Sequence, residues 1–232
     1  MKFVKKRVEI ALNNLDGICG AGLETEQSKH GPVLPNSIRC IMCGPSNCGK
    51  TNVMINLLLD ENGLKFENLY IYSKSLNQEK YKKLEEIVRL ADKRIGFHAF
   101  KDSDVIVEPA RAKPYSVFVF DDVACDNQDV IRKYFSMGRH ATVDCFYLNQ
   151  SYARIPKQLI RDNANLIVMF KQDDLNTQHV YRDHVGGDMT LQQFKEVCAE
   201  CWKDDYGFLV IDKDRKVGEG RYGKNFNKSV EL

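Results

Sequence analysis

The chain has 232 residues, 43% of them hydrophobic and 28% charged, with a formal net charge of +2. That composition suits an ordinary folded protein with length for one large domain, and it excludes collagen-like, disordered and disulfide-scaffold chains. No apolar run approaches the roughly 20 residues of a membrane helix, and the basic residues 1–7 are not followed by the apolar core of a secretory signal. Charge is uneven: Lys2, Lys5, Lys6 and Arg7 crowd one end, and Lys213, Arg215, Lys216, Arg221, Lys224 and Lys228 crowd the other. Such ends can touch nucleic-acid phosphates or simply be solvated. Eight cysteines without an export signal imply a reducing compartment: cytosol, nucleus or virion interior.

Residues 1–36 read as an irregular, basic lead-in rich in glycine and proline. From residue 37 apolar runs alternate with helix-like stretches, the pattern of a parallel α/β sheet. Residues 37–43 form a short buried strand. Residues 51–60, with no glycine or proline, form a helix. Residues 68–72 give a second strand. Ser75 and Gln78 read as a capping box for a helix whose apolar face is Tyr81, Leu84, Ile87, Val88 and Ala91. A short strand near residues 97–100 and a turn between Pro109 and Pro114 follow. Residues 117–120 are apolar throughout and belong at the sheet centre. A helix over 127–137 leads to strands at 144–148 and 166–170, with Pro156 in the first turn of a short helix between them. Helices are expected over 174–184 and 190–202, the second capped by Thr190 and Gln193. A late strand at 207–211 turns back through Gly218 and Gly220. The expected organisation is a lead-in (1–36), a P-loop domain (37–212) and a basic C-terminal hairpin or tail (213–232).

Residues 44–51 read Gly44-Pro45-Ser46-Asn47-Cys48-Gly49-Lys50-Thr51. They match the phosphate-binding pattern G-x-x-x-x-G-K-[ST] at every fixed position. Two glycines let the loop curl so that successive N–H groups meet phosphate oxygens, and the following helix points its positive end at the same anion. The nucleotide-binding set is these eight residues with Asn52. Lys50 reaches the β- and γ-phosphates and Thr51 ligates Mg²⁺, so the implied cofactors are ATP and Mg²⁺.

Downstream, four apolar residues end in Asp121-Asp122. A carboxylate at the end of a buried strand can hold Mg²⁺, and a second beside it can activate the attacking water. Asp121 is the metal candidate and Asp122 the catalytic base. The next strand ends Leu148-Asn149-Gln150, and Gln150 suits a γ-phosphate sensor. This order of parts describes an α/β, RecA-like (ASCE) P-loop NTPase with a central, mostly parallel sheet flanked by helices.

The combination resembles the FtsK–HerA superfamily, and within it the poxvirus-type genome-packaging ATPases of large DNA viruses and Polinton/Maverick-like elements. GPSNCGKT (44–51), VFVFDDV (117–123), GRHATVDCFYLNQSY (138–152), IPKQLIRDNANLIVMF (155–170) and YGFLVID (206–212) carry the resemblance. It implies an ATP-driven double-stranded DNA translocase, a homo-oligomeric ring that pumps a genome into a capsid, with a capsid or portal protein as partner. It also implies an arginine acting across the subunit interface, Arg139 first and Arg161 second. Asp122 departs from the glutamate common in RecA-like enzymes. Two other readings stay open: a monomeric P-loop kinase, and a nucleotide-gated switch that barely hydrolyses ATP. His179, His184, Cys198 and Cys201 could together bind zinc, although both cysteines also fit an apolar helix face. Cys40 and Cys43 lie on opposite faces of a strand and read as core. Lys171-Gln172-Asp173 falls short of a guanine-reading motif because Phe170 stands in place of asparagine.

Overall fold

Strands that are apolar on both faces are satisfied only in a sheet covered on both sides. The computed structural model describes residues 29–92, 94–101, 106–123, 128–138 and 142–231. In it β1 (Arg39–Cys43), β2 (Asn68–Ser73), β3 (Gly96–Phe100), β4 (Ser116–Asp121), β5 (Val143–Asn149) and β6 (Leu166–Phe170) run parallel. Antiparallel β7 (Phe208–Asp212), β8 (Tyr222–Lys224) and β9 (Lys228–Ser229) extend the same sheet. The order across it is β3-β2-β4-β5-β1-β6-β7-β8-β9. β5 therefore lies between β1 and β4, so the strand that ends in Asn149 separates the phosphate loop from the Asp121 carboxylate.

Helices α1 (Lys50–Leu59) and α2 (Glu79–Ala91) bury Met54, Leu57, Leu58, Tyr81, Leu84 and Val88 on one face of the sheet. Helices α3 (Asp129–Met137), α4 (Asp174–Val180) and α5 (Leu191–Cys201) bury Ile131, Tyr134, Phe135, Val180, Phe194 and Cys198 on the other. Period-2 alternation divides β1 between the two layers: Cys40 and Met42 face the first, Ile41 and Cys43 the second.

Three local expectations are revised. Ser75 and Gln78 form no capping box. The chain makes a turn closed by Gln78 N–H to the Ser75 carbonyl (3.0 Å), and α2 starts at Glu79 without a side-chain cap. Ile87 drifts off the buried face and is exposed. Pro156 precedes a kinked π-type segment, Lys157–Arg161, in which Leu159 has φ 67°, so no regular helix forms there. The Thr190/Gln193 capping box is present as expected.

The described end of the lead-in is fastened to the sheet by one buried carboxylate. Asp144 of β5 accepts from Ile38 N–H (2.7 Å), from His30 Nε2 (3.0 Å) and from Lys29 Nζ (2.6 Å). His30 Nδ1 in turn accepts from Lys65 N–H (3.1 Å), which leaves Nε2 as the donor. Burial alone would raise the Asp144 carboxyl, but the His30 bond and the Lys29 charge outweigh it and hold it below the usual range. Asp144→Ala leaves three donors without an acceptor and should cost about 3 kcal/mol in denaturant unfolding. A carboxyl with a depressed folded-state pKa contributes stability above the ordinary value of about 3.9 and loses it as pH falls through the folded value. The wild type should thus lose more stability than Asp144→Ala on acidification below about pH 4, and parallel curves would refute the assignment.

Candidate nucleotide site

Parallel strands all present their C-terminal ends at one edge, and ligands of open α/β sheets bind there. At this edge β1 gives way to the loop of residues 44–49. Gly44 has no room for a side chain: a Cβ would lie 2.6 Å from Phe170 Cβ and 2.6 Å from Cys48 Sγ. Gly49 has φ 109° and caps α1, with its carbonyl taking Val53 N–H at 2.9 Å. Asn47 adds a further positive φ of 61°. The first turn of α1 carries no acidic residue, so nothing there offsets its positive end. Lys50 Nζ lies over the loop, donating to the carbonyls of Gly44 (2.6 Å) and Pro45 (2.9 Å).

A cavity of about 390 Å³ opens in front of this loop. Ser46, Asn47, Gly49, Lys50, Thr51 and Asn52 line it from the loop and α1, Asp121 and Asp122 from β4, and Asn149 and Gln150 from β5. Residues distant in sequence are thus brought to one wall. Pro45 and Cys48 belong to the loop but do not line the cavity, and Gly44 is buried beneath it.

Asp121 is the buried member of the acidic pair. Its Oδ2 accepts from the Tyr81 hydroxyl of α2, and the hydroxyls of Thr51 and Ser73 complete the cluster. Burial raises the Asp121 carboxyl; the Tyr81 bond and the Lys50 charge pull it back down in part. Thr51 and Asp121 are therefore neighbours on the cavity wall. Asp122 is exposed to the cavity, with φ 59° and its N–H directed at the Leu148 carbonyl (3.4 Å). Gln150 is also exposed. Its N–H is held by Asn149 Oδ1 (2.8 Å) and its carbonyl by Gln172 Nε2 (3.3 Å), which leaves the side chain directed by a fixed backbone.

Sequence reasoning missed six lining residues, Ser75, Gln78, Lys80, Leu148, Asn149 and Tyr206, and the contact of Tyr81 with Asp121. Tyr81 looked like one more apolar-face residue of α2, and only the sheet order reveals its hydroxyl as a neighbour of β4.

Arg139 lies outside the described residues. Arg161 is buried, pairs with Asp183 (2.9 Å) and stacks its guanidinium 5.1 Å from the Tyr152 ring. It is held within its own chain, which corrects its candidacy as a reaching arginine. Cys198 and Cys201 face the core. The His184 Nε2 is 2.6 Å from the Tyr152 hydroxyl, and burial, with Lys213 and Arg161 nearby, pushes its pKa down to about 3. Among the described residues no group of three or more histidine, cysteine or acidic side chains could hold a metal. Four of the six C-terminal cations are engaged within the chain at 3.0 Å or closer: Arg215 with Asp212 (3.0 Å), Arg221 with Asp188 (2.7 Å), Lys224 with Asp204 (2.8 Å), and Lys213 with the Ala164 carbonyl (2.8 Å).

No family model matches the sequence, and no curated protein matches it. Solved structures do. The genome packaging NTPase B204 from Sulfolobus turreted icosahedral virus 2, in complex with sulfate, superposes with a TM-score of 0.58 at 15% identity, over 84% of this chain and 98% of that one. The same NTPase in complex with AMPPCP gives 0.54 at 15% identity over 77% and 93%. B204 described as the DNA-packaging ATPase from Sulfolobus turreted icosahedral virus gives 0.54 at 16% identity over 76% and 93%. Strand order, phosphate loop and these superpositions agree: the chain has the RecA-like P-loop NTPase fold of the packaging ATPases.

Proposed function

We propose that the protein is a Mg²⁺-dependent ATPase that works as a homo-oligomeric ring and drives double-stranded DNA into a viral or virus-like capsid. The observation that carries this reading is the convergence of phosphate loop, Thr51, Asp121, Asp122 and Gln150 on one cavity, with β5 between β1 and β4. The fold shared with genome packaging NTPases supports the packaging role. No helix among the described residues is long and apolar enough to cross a membrane, which suits work in a host cell or a virion.

In this reading the loop amides and Lys50 grip the β- and γ-phosphates. Thr51 and Asp121 are the residues that would hold Mg²⁺, whose charge offsets that of the phosphate oxygens in flight. Asp122 takes the proton of the attacking water, and Gln150 orients that water and registers the γ-phosphate. The charge balance favours help from outside the subunit. Among the described charged residues lining the cavity, Lys50 and Lys80 only equal Asp121 and Asp122, so among these residues the triphosphate charge beyond that met by Mg²⁺ has no side-chain counterpart. Arg139 of a neighbouring subunit is the proposed complement, stabilising the transferring phosphoryl group. DNA would be gripped through its phosphates without reading of base sequence.

Lys50→Ala should reduce ATP turnover by about a hundredfold or more while the melting temperature stays near that of the wild type. Retained turnover would remove the assignment. Asp121→Asn should raise the Mg²⁺ concentration for half-maximal turnover by roughly tenfold or more, read from Mg²⁺ titrations at saturating ATP. An unchanged requirement would place the metal elsewhere. Duplex DNA should stimulate turnover of the wild type, and the stimulation should fade steeply between about 50 and 200 mM salt. Turnover that depends instead on a small phosphoryl acceptor would identify a kinase.

A further inference from the structure

The cavity has two unlike ends. Asp121, Asp122 and Gln150 enter from β4 and β5, on one side of β1. Tyr206 enters from the other side, on the turn that leads into β7. A chain of phosphates with its reacting end at the carboxylates therefore has its remaining end directed towards Tyr206.

Tyr206 is held out for contact. It is 69% exposed although it is a large aromatic residue. Its φ of 61° is a genuine outlier for a bulky side chain, and such strain persists where the surrounding structure enforces it. The enforcing element is a tight turn, Gly207 N–H to the Asp204 carbonyl (3.0 Å). Gly207 cannot be replaced without moving backbone, since a Cβ there would lie 2.3 Å from the Cys201 carbonyl oxygen. The ring packs at Gly49, its Cδ1 standing 3.5 Å from where a Cβ of that glycine would be. Beyond the ring lies a second hollow of about 340 Å³, lined by Phe170, Lys171, Trp202, Asp204 and Tyr206 itself. Trp202 is anchored through Nε1 to the Met169 carbonyl (3.0 Å), so that wall is fixed. Among the described residues Tyr206 alone lines both hollows, and it is aromatic and mostly exposed.

We propose that Tyr206 is the stacking platform for the nucleobase: the base lies on its ring, at the junction of the two hollows, while the phosphates lie on the loop. This rests on the nucleotide-binding reading above and adds where the base goes. A base offers its π-face to an aromatic ring whatever its edge carries, and one such stack changes affinity by about tenfold.

The test compares two probes on the full chain, ATP and inorganic tripolyphosphate, each titrated calorimetrically with Mg²⁺. Tyr206→Gly removes the ring and suits the positive φ, so the turn keeps its shape. It should weaken ATP about tenfold and leave tripolyphosphate unchanged, and Tyr206→Phe should bind both like the wild type. Equal ATP affinity in Tyr206→Gly and wild type would overturn the platform, as would a parallel loss of both probes. A wild type that binds neither probe would refute the nucleotide site itself. Tripolyphosphate binding without any gain from the base would refute only the role of Tyr206.

Discussion

Nothing larger than glycine fits at position 44, because Phe170 of the neighbouring strand and Cys48 of the loop occupy the space. β1 and β6 are paired with Cys43 opposite Met169, so Gly44, the residue after β1, meets Phe170, the last residue of β6, at the sheet edge. The chain leaving β1 must curl tightly over the end of β6 before α1 begins. That curl aims the loop amides and the start of α1 at one point in space. Every other part of the site is placed relative to that point. β5 sits directly beside β1 and delivers Asn149 and Gln150, and β4, one strand further, delivers the carboxylates.

The acidic end of the site works against the tendency of buried carboxylates to protonate. Asp121 sits where desolvation raises its pKa, and the Tyr81 and Thr51 hydroxyls and the Lys50 charge offset that only in part, with Ser73 bonded to Tyr81 behind them. Hydroxyl donors are a moderate answer to a buried carboxylate. A full ion pair would satisfy Asp121 completely, whereas these donors leave it able to take the cation proposed above. Asp144, on the same sheet but at the other end of β5, shows the contrast. It carries Lys29, His30 and a backbone amide, its pKa is depressed, and it serves as a fastening. The same residue type on neighbouring strands has its pKa raised or lowered according to what donates to it.

Features that depend on short stretches of chain were legible: the two glycines and Lys50 of the loop, the run that ends in Asp121, the Thr190/Gln193 cap. Those that depend on strand order were not. Lys80 and Gln78 reach the cavity because β2 lies beside β4, which no local pattern encodes. Ser75 and Gln78 have the right spacing for a cap, yet the chain uses them in a turn that faces the cavity. The basic C-terminal stretch read as free charge because its partners, Asp188, Glu200 and Asp204, come from other elements. Arg161 read as available for the same reason, with Asp183 out of view.

Backbone strain gathers at this site. Among the described residues seven non-glycine positions have positive φ, and three of them, Asn47, Asp122 and Tyr206, line the one cavity. Asparagine and aspartate tolerate that conformation, whereas tyrosine does not, and strain of this kind costs on the order of 1–3 kcal/mol per residue. Such positions survive only where the flanking chain cannot relax. Asn47 and Asp122 follow strands buried on both faces, between two apolar layers. Tyr206 is wedged between the end of α5 and the start of β7 by a glycine that admits no substitute. The backbones of the loop, the acidic pair and the Tyr206 turn are consequently set by the fold itself, so on the nucleotide-binding reading little of the binding energy would be diverted into ordering them.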